Sequence, residues 1–142
     1  VVRIESTAGE LCSGVLVAPD LVLTAAHCKL QRASYRVIAV DRRFRSRSVG
    51  VAAIAAHPAF VAGTTPRSQP GTDLALVKLT SPLGRDFRPL DPTGAPRLAA
   101  GVPVRIAGFG TTRETAKRTA RTLREAGMVV LGDLQVANRV VV

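Results

Sequence analysis

Several features are scarce in this 142-residue chain, and each scarcity removes a class of protein. Long apolar runs are missing: the longest candidate, VGVAAIAA from Val49 to Ala56, is bounded by Ser48 and by His57-Pro58. It falls well short of the ~18 residues that a membrane-spanning helix needs, so a soluble protein with no membrane partner is expected. Aromatic residues make up only 4% of the chain. The arginine-rich stretches therefore lack the interleaved rings on which a single-strand binder stacks bases, and nucleic acid is not the favoured partner. There are two cysteines, Cys12 and Cys28, and two histidines, His27 and His57. With no CxxC pair and only one histidine near the cysteines, no metal centre and no cofactor are expected. The first residues, VVRIESTAG, lack a basic start, an apolar segment and a small-residue cleavage site. Any export signal is expected to have been removed or to lie outside this sequence.

What is present suits an all-β protein. Hydrophobic residues make up 46% of the chain, enough for one ordinary core. Short β-rich runs recur with turn signals between them. Strands are expected over Val1–Glu5, Ser13–Ala18, Leu21–Ala25, Tyr35–Val40, Val49–Ala56, Ala75–Leu79, Val102–Gly108 and Met128–Leu131. Ala18-Pro19-Asp20 marks a turn, and Ala62 to Thr72 reads as a long polar loop. From Ser81 to Gly101 the chain carries Pro82, Pro89, Pro92 and Pro96 with few β-branched residues. This reads as an extended connection, and a domain boundary is placed there. Arg113 to Ala126 resists the scheme, having helix formers and charges at helical spacing but little apolar surface to bury. It reads as an exposed helix or a loop.

The charge is lopsided, with 20 Lys plus Arg against 10 Asp plus Glu, and seventeen of the twenty are arginine. They gather in DRRFRSRS (Asp41 to Ser48) and in TRETAKRTARTLRE (Thr112 to Glu125). Solvated loops are the plainer explanation, and an anionic partner is the alternative.

The stretch LVLTAAHC, Leu21 to Cys28, sets His27 directly beside Cys28 after a run that reads as a strand. Taken alone, His27 is a partly buried histidine next to a structural thiol. Cys12 and Cys28 flank a turn between two strands, so their thiols can meet. A bridge would stabilise the fold by roughly 3 kcal/mol, and a reduced pair remains open on the residues alone.

Taken together, CSGVLVAPDLVLTAAHC resembles the chymotrypsin-like, trypsin-fold serine proteases, whose catalytic histidine lies in a T/S-A-A-H-C turn. Two further segments are similar to that family. HPAF (His57 to Phe60), a long loop and TDLALVKL (Thr72 to Leu79) look like the part that delivers the catalytic aspartate, and VPVRIAGFGTT (Val102 to Thr112) looks like the opening of the second barrel. The resemblance implies a trypsin-like antiparallel β-barrel over residues 1–100, including the connection. The start of a second, truncated barrel is implied over 101–142. It implies that His27 is the general base, that Asp73 orients it, and that Cys12 and Cys28 form a disulfide. His57 matches a non-catalytic position.

The chemistry fits. A serine hydroxyl is a poor nucleophile near neutral pH and needs an imidazole within hydrogen-bond reach. A carboxylate on the far ring nitrogen fixes the tautomer and stabilises the imidazolium. The implied function is serine-type endopeptidase acting on a protein or peptide substrate, in a secreted or periplasmic protein.

The pattern also breaks. No Gly-Asp-Ser-Gly-Gly motif occurs among the serines Ser6, Ser13, Ser34, Ser46, Ser48, Ser68 and Ser81, and Gly132-Asp133 is followed by Leu134. The chain is therefore expected to lack the nucleophile and oxyanion hole, to be inactive alone, and to need the missing C-terminal part of the same protease. Its first residues are expected to begin downstream of the family's mature N-terminus. Some relatives bind calcium in a loop after the histidine strands. Here no Asp or Glu lies between Asp41 and Asp73, so no calcium site is expected there. The alternative is a non-catalytic relative acting as a binding module for an anionic partner.

Overall fold

The computed structural model describes residues 1–29, 33–63, 71–91, 93–94, 98–110, 122–132, 134–136 and 139–141. Six strands form a closed barrel: β1 (Val2–Ser6), β2 (Leu11–Ala18), β3 (Leu21–Thr24), β4 (Tyr35–Val40), β5 (Ser46–Ala56) and β6 (Ala75–Leu79). Their order around the ring is β1-β2-β3-β6-β5-β4. Every neighbouring pair is antiparallel, with β1 bonded to both β2 and β4. Closure leaves no free edge, and the period-2 alternation of each strand then has one inside and one outside.

The inside is apolar and small. Val2, Ile4, Leu16, Val22, Val37, Ala39, Val49, Val77 and Leu79 meet in one cluster, with Leu83 from the following connection plugging it. Gly14 is required where β2 crosses the interior, since a Cβ there would lie 2.5 Å from Val22 Cγ1 and 3.1 Å from Ile4 Cδ1. Register shifts at Leu16/Ala18 and Val51/Ala53 bend β2 and β5 so that the sheet can close.

The proline-rich connection runs extended along the barrel. Leu83 N–H donates to Pro19 O at 3.0 Å, and Leu90 N–H donates to Leu16 O at 2.7 Å. Beyond it, β7 (Pro103–Gly108) pairs antiparallel with β8 (Arg124–Val129), and β9 (Leu134–Val136) pairs antiparallel with β10 (Arg139–Val141). The buried Phe109 anchors the end of β7 to the barrel, its N–H donating to Ser13 Oγ at 2.7 Å. The Arg3 guanidinium lies 5.8 Å from the centre of the Phe109 ring.

Tyr35–Val40 and Ala75–Leu79 have the bounds expected from sequence. β5 begins earlier than expected, at Ser46, because the hairpin with β4 extends pairing through polar residues to Val40↔Ser46. Residues 113–121 of the expected helix or loop lie outside the described residues. Its last three, Arg124 to Ala126, belong to β8, where cross-strand pairing with β7 overrides helix-forming composition. Most of the expected 62–72 loop also lies outside the described residues. Among the described residues, no helix is long and apolar enough to cross a membrane.

Candidate active site

The end of β3 sets the first half of the site. Thr24 is buried and its Oγ1 donates to Ser13 O at 2.8 Å, pinning the strand end against β2. Ala25 continues in extended conformation, and a single 3-10 turn follows over Ala26–Cys28. Ala26 and Cys28 are both buried. Two small residues packed inward leave the middle one, His27, facing out. Cys28 is joined to Cys12 of β2 by a disulfide spanning a Cα separation of 6.3 Å, which ties the turn to the barrel wall.

The second half arrives through the sheet. Thr24 of β3 pairs with Ala75 of β6, so the residues just before β6 lie beside the turn just after β3. Thr72 is buried there, and Leu74 both donates to Thr72 O at 2.8 Å and accepts from His57 N–H at 2.7 Å. Asp73 is held between them. Its Oδ1 accepts the His27 backbone N–H at 2.9 Å, and its Oδ2 lies 2.7 Å from His27 Nδ1. The histidine side chain is 65% exposed and the aspartate 40%.

Partial burial pushes the Asp73 carboxyl up. The hydrogen bonds from the His27 ring and amide, the attraction of His27 and the Ala26 amide outweigh it, and the net displacement is below the ordinary 3.8. An ionised carboxylate only accepts hydrogen bonds, so it favours the tautomer with the proton on Nδ1. Nε2 is then the nitrogen left to accept a proton. The carboxylate thus fixes backbone, ring orientation and tautomer together.

The other expected residues fall outside this pair. His57 sits at the end of β5, where its Nδ1 accepts the Ala59 N–H at 3.2 Å. Ser6 Oγ accepts from Glu10 N–H at 3.1 Å, and Ser13 Oγ serves Phe109. Among the described residues no serine hydroxyl is hydrogen-bonded to the His27 ring, and Ser68 lies outside them. The donor atoms of Cys12, His27 and Cys28 lie within 4.8 Å of one another. Both sulfurs are bonded to each other, so they offer no thiolate to a metal. Two participants escaped the sequence reading. The Ser13 hydroxyl joins barrel to β7, and the Ala26 amide supports Asp73. Neither carries a compositional signal, since any small residue suits the turn and the contact Ser13 makes is ninety-six positions away.

The chain matches the Trypsin family over residues 1–140. It is 35% identical to granzyme M of Homo sapiens over 141 residues, covering 95% of this chain and 52% of granzyme M. Kallikrein-11 of Mus musculus is 32% identical over 130 residues, covering 85% of this chain and 45% of kallikrein-11. Among solved structures, neuropsin, a serine protease expressed in the limbic system of mouse brain, superposes with a TM-score of 0.70 at 26% identity. That superposition covers 92% of this chain and 59% of neuropsin. The chain spans about half the length of the curated relatives it matches.

Proposed function

The chain belongs to the trypsin family, and on that premise we propose that it carries the proton-transfer half of a serine endopeptidase, with His27 as general base and Asp73 as its orienting carboxylate. The observation that supports this most is the double grip of Asp73 on the His27 amide and ring. In the proposed cycle, His27 Nε2 takes the proton from a serine hydroxyl as that oxygen attacks the peptide carbonyl. His27 then delivers the proton to the departing amine, and Asp73 stabilises the imidazolium between the two steps. Residues 1–100 are read as the unit that supplies base and acid, and 101–142 as the opening of a second barrel. The nucleophile and oxyanion-hole amides are assigned to sequence outside this chain. The 142 residues alone are therefore inactive in this reading.

Substrates are proteins or peptides, and the disulfide favours an oxidising location, secreted or periplasmic. A second reading, a non-catalytic relative that binds an anionic partner, is favoured by the arginine-rich surface around Arg42 and Arg43. Fluorophosphonate labelling of the protein from its natural source separates the two. A labelled species heavier than 14.9 kDa that contains the His27 peptide supports the endopeptidase. An active-site probe that never labels a protein containing this peptide contradicts it.

A further inference from the structure

The two ends of β5 differ in chemistry. Its last residue, Ala56, pairs with Ala75 close to Asp73. Its first, Ser46, begins at the hairpin from β4, and the nine residues between put that hairpin at most roughly 35 Å of strand away from Ala56. The hairpin tip is closed from within by Asp41. Asp41 Oδ1 accepts the N–H groups of Arg43 at 2.8 Å and Arg45 at 2.9 Å, and Oδ2 accepts Arg45 Nε at 2.7 Å. Phe44 N–H also donates to Asp41 O, and Asp41 N–H to Arg45 O, both at 3.0 Å.

This hydrogen-bonded turn places Phe44 at φ 60, a left-handed conformation that a bulky L residue adopts only at an energetic cost. The ring so held is 90% exposed and packs on nothing that stabilises the fold. Around it arginines outnumber carboxylates, six (Arg42, Arg43, Arg45, Arg47, Arg85 and Arg88) against Asp41 and Asp86. Arg45 bonds both Asp41 and Asp86, which brings the connection carrying Arg85 and Arg88 to the foot of the hairpin. Arg47 donates to Pro82 O at 3.1 Å. Among the described residues Arg42, Arg43, Arg85 and Arg88 are exposed and make no ion pair.

We propose that this end of the barrel docks peripherally on an anionic lipid surface, with Phe44 entering the headgroup layer and the flanking arginines lying against lipid phosphates. A solvated aromatic ring on a left-handed residue, set among unpaired guanidinium groups, matches an interface that is apolar at depth and anionic at its surface. An acidic polymer would satisfy the arginines but leave the ring in water. Single-stranded nucleic acid stacks on several rings, and here Phe44 stands alone, since Phe87 is packed against the core. The clefts lined by Ser13 and Glu125, by Glu5 and Glu10, and by Arg105 and Met128 do not include the tip residues. The sequence expectation of no membrane partner rested on the lack of a spanning run, which does not bear on peripheral contact. The proposal is independent of the proteolytic reading.

The test uses F44W, in a sequence that otherwise holds no tryptophan. Flotation and indole emission are measured with phosphatidylcholine vesicles with and without phosphatidylglycerol. The expected result is flotation only with the anionic vesicles, with emission shifted to the blue and quenched by brominated acyl chains. R42A/R43A should weaken partitioning by about tenfold or more, and so should R85A/R88A, which leaves the tip intact. Far-ultraviolet circular dichroism confirms that each variant is folded. The proposal is overturned if no flotation occurs, or if Phe44→Ser floats as well as the parent. It is equally overturned if heparin or single-stranded DNA shifts the F44W emission while vesicles do not.

Discussion

β6 and β8 are short strands of one chain with opposite fates. In β6 the side chains of Ala75, Val77 and Leu79 are buried in turn while Leu76 and Lys78 face out. In β8 every residue is exposed, Met128 by 50% and Val129 by 55%. The difference lies in what surrounds each strand. β6 sits between β3 and β5 in a closed ring, whereas β8 pairs only with β7 among the described strands. The side chains of β6 become core because the sheet closes on them, and the His27–Asp73 pair is built on that closed part.

The largest expected effect concerns that closed part. For the serine endopeptidase proposed above, Asp73→Asn should reduce turnover by about ten-thousandfold through the wrong tautomer, and His27→Ala by at least as much. Steady-state kinetics on a peptide substrate checks this, and losses under tenfold would detach the pair from catalysis. Next, Leu79→Ala should cost about 2–5 kcal/mol of stability. Met128→Ala, an apolar truncation on the open ribbon, should stay within about 0.5 kcal/mol. Equal shifts in the two denaturation midpoints would erase the contrast between regions. Replacing Cys12 and Cys28 by alanine should cost roughly 3 kcal/mol and lower turnover as well, because the disulfide holds the turn that carries His27.

Much of the closed region was legible in sequence and little of the open one. β4 and β6 could be bounded because inward and outward residues alternate and turn residues flank them. β8 could not, since Arg124-Glu125-Ala126-Gly127 has no alternation and its extended state depends on pairing with β7. That pairing is helped by Arg105 and Glu125, 3.2 Å apart across the two strands. The pairing of His27 with Asp73, forty-six positions apart, is a consequence of strand register between β3 and β6, which no local pattern encodes. Only the resemblance of the flanking segments to a known family pointed to it.

Smaller effects sharpen the same picture. The carboxyl of Asp73 is held below its ordinary 3.8 in the folded chain. The stability this gives is present above that value and is lost as pH falls through the lower folded value. Thermal melts of the parent and D73N, taken from about pH 6 down to about pH 2, should converge at the acid end. At the bottom of the scale, His57→Ala should leave turnover largely unchanged and shift stability by no more than about 0.5 kcal/mol, since it replaces one exposed turn contact to Ala59.

In the proposed site Asp73 fixes the proton of His27 on Nδ1 and leaves Nε2 as the base. Nitrogen-15 NMR of the neutral histidine side chains in the folded protein, assigned by comparison with H57A, reads this tautomer. His27 should carry its proton on Nδ1, and D73N should shift the population toward Nε2. A His27 ring protonated on Nε2 in the parent, or one whose tautomer is indifferent to D73N, would contradict this assignment.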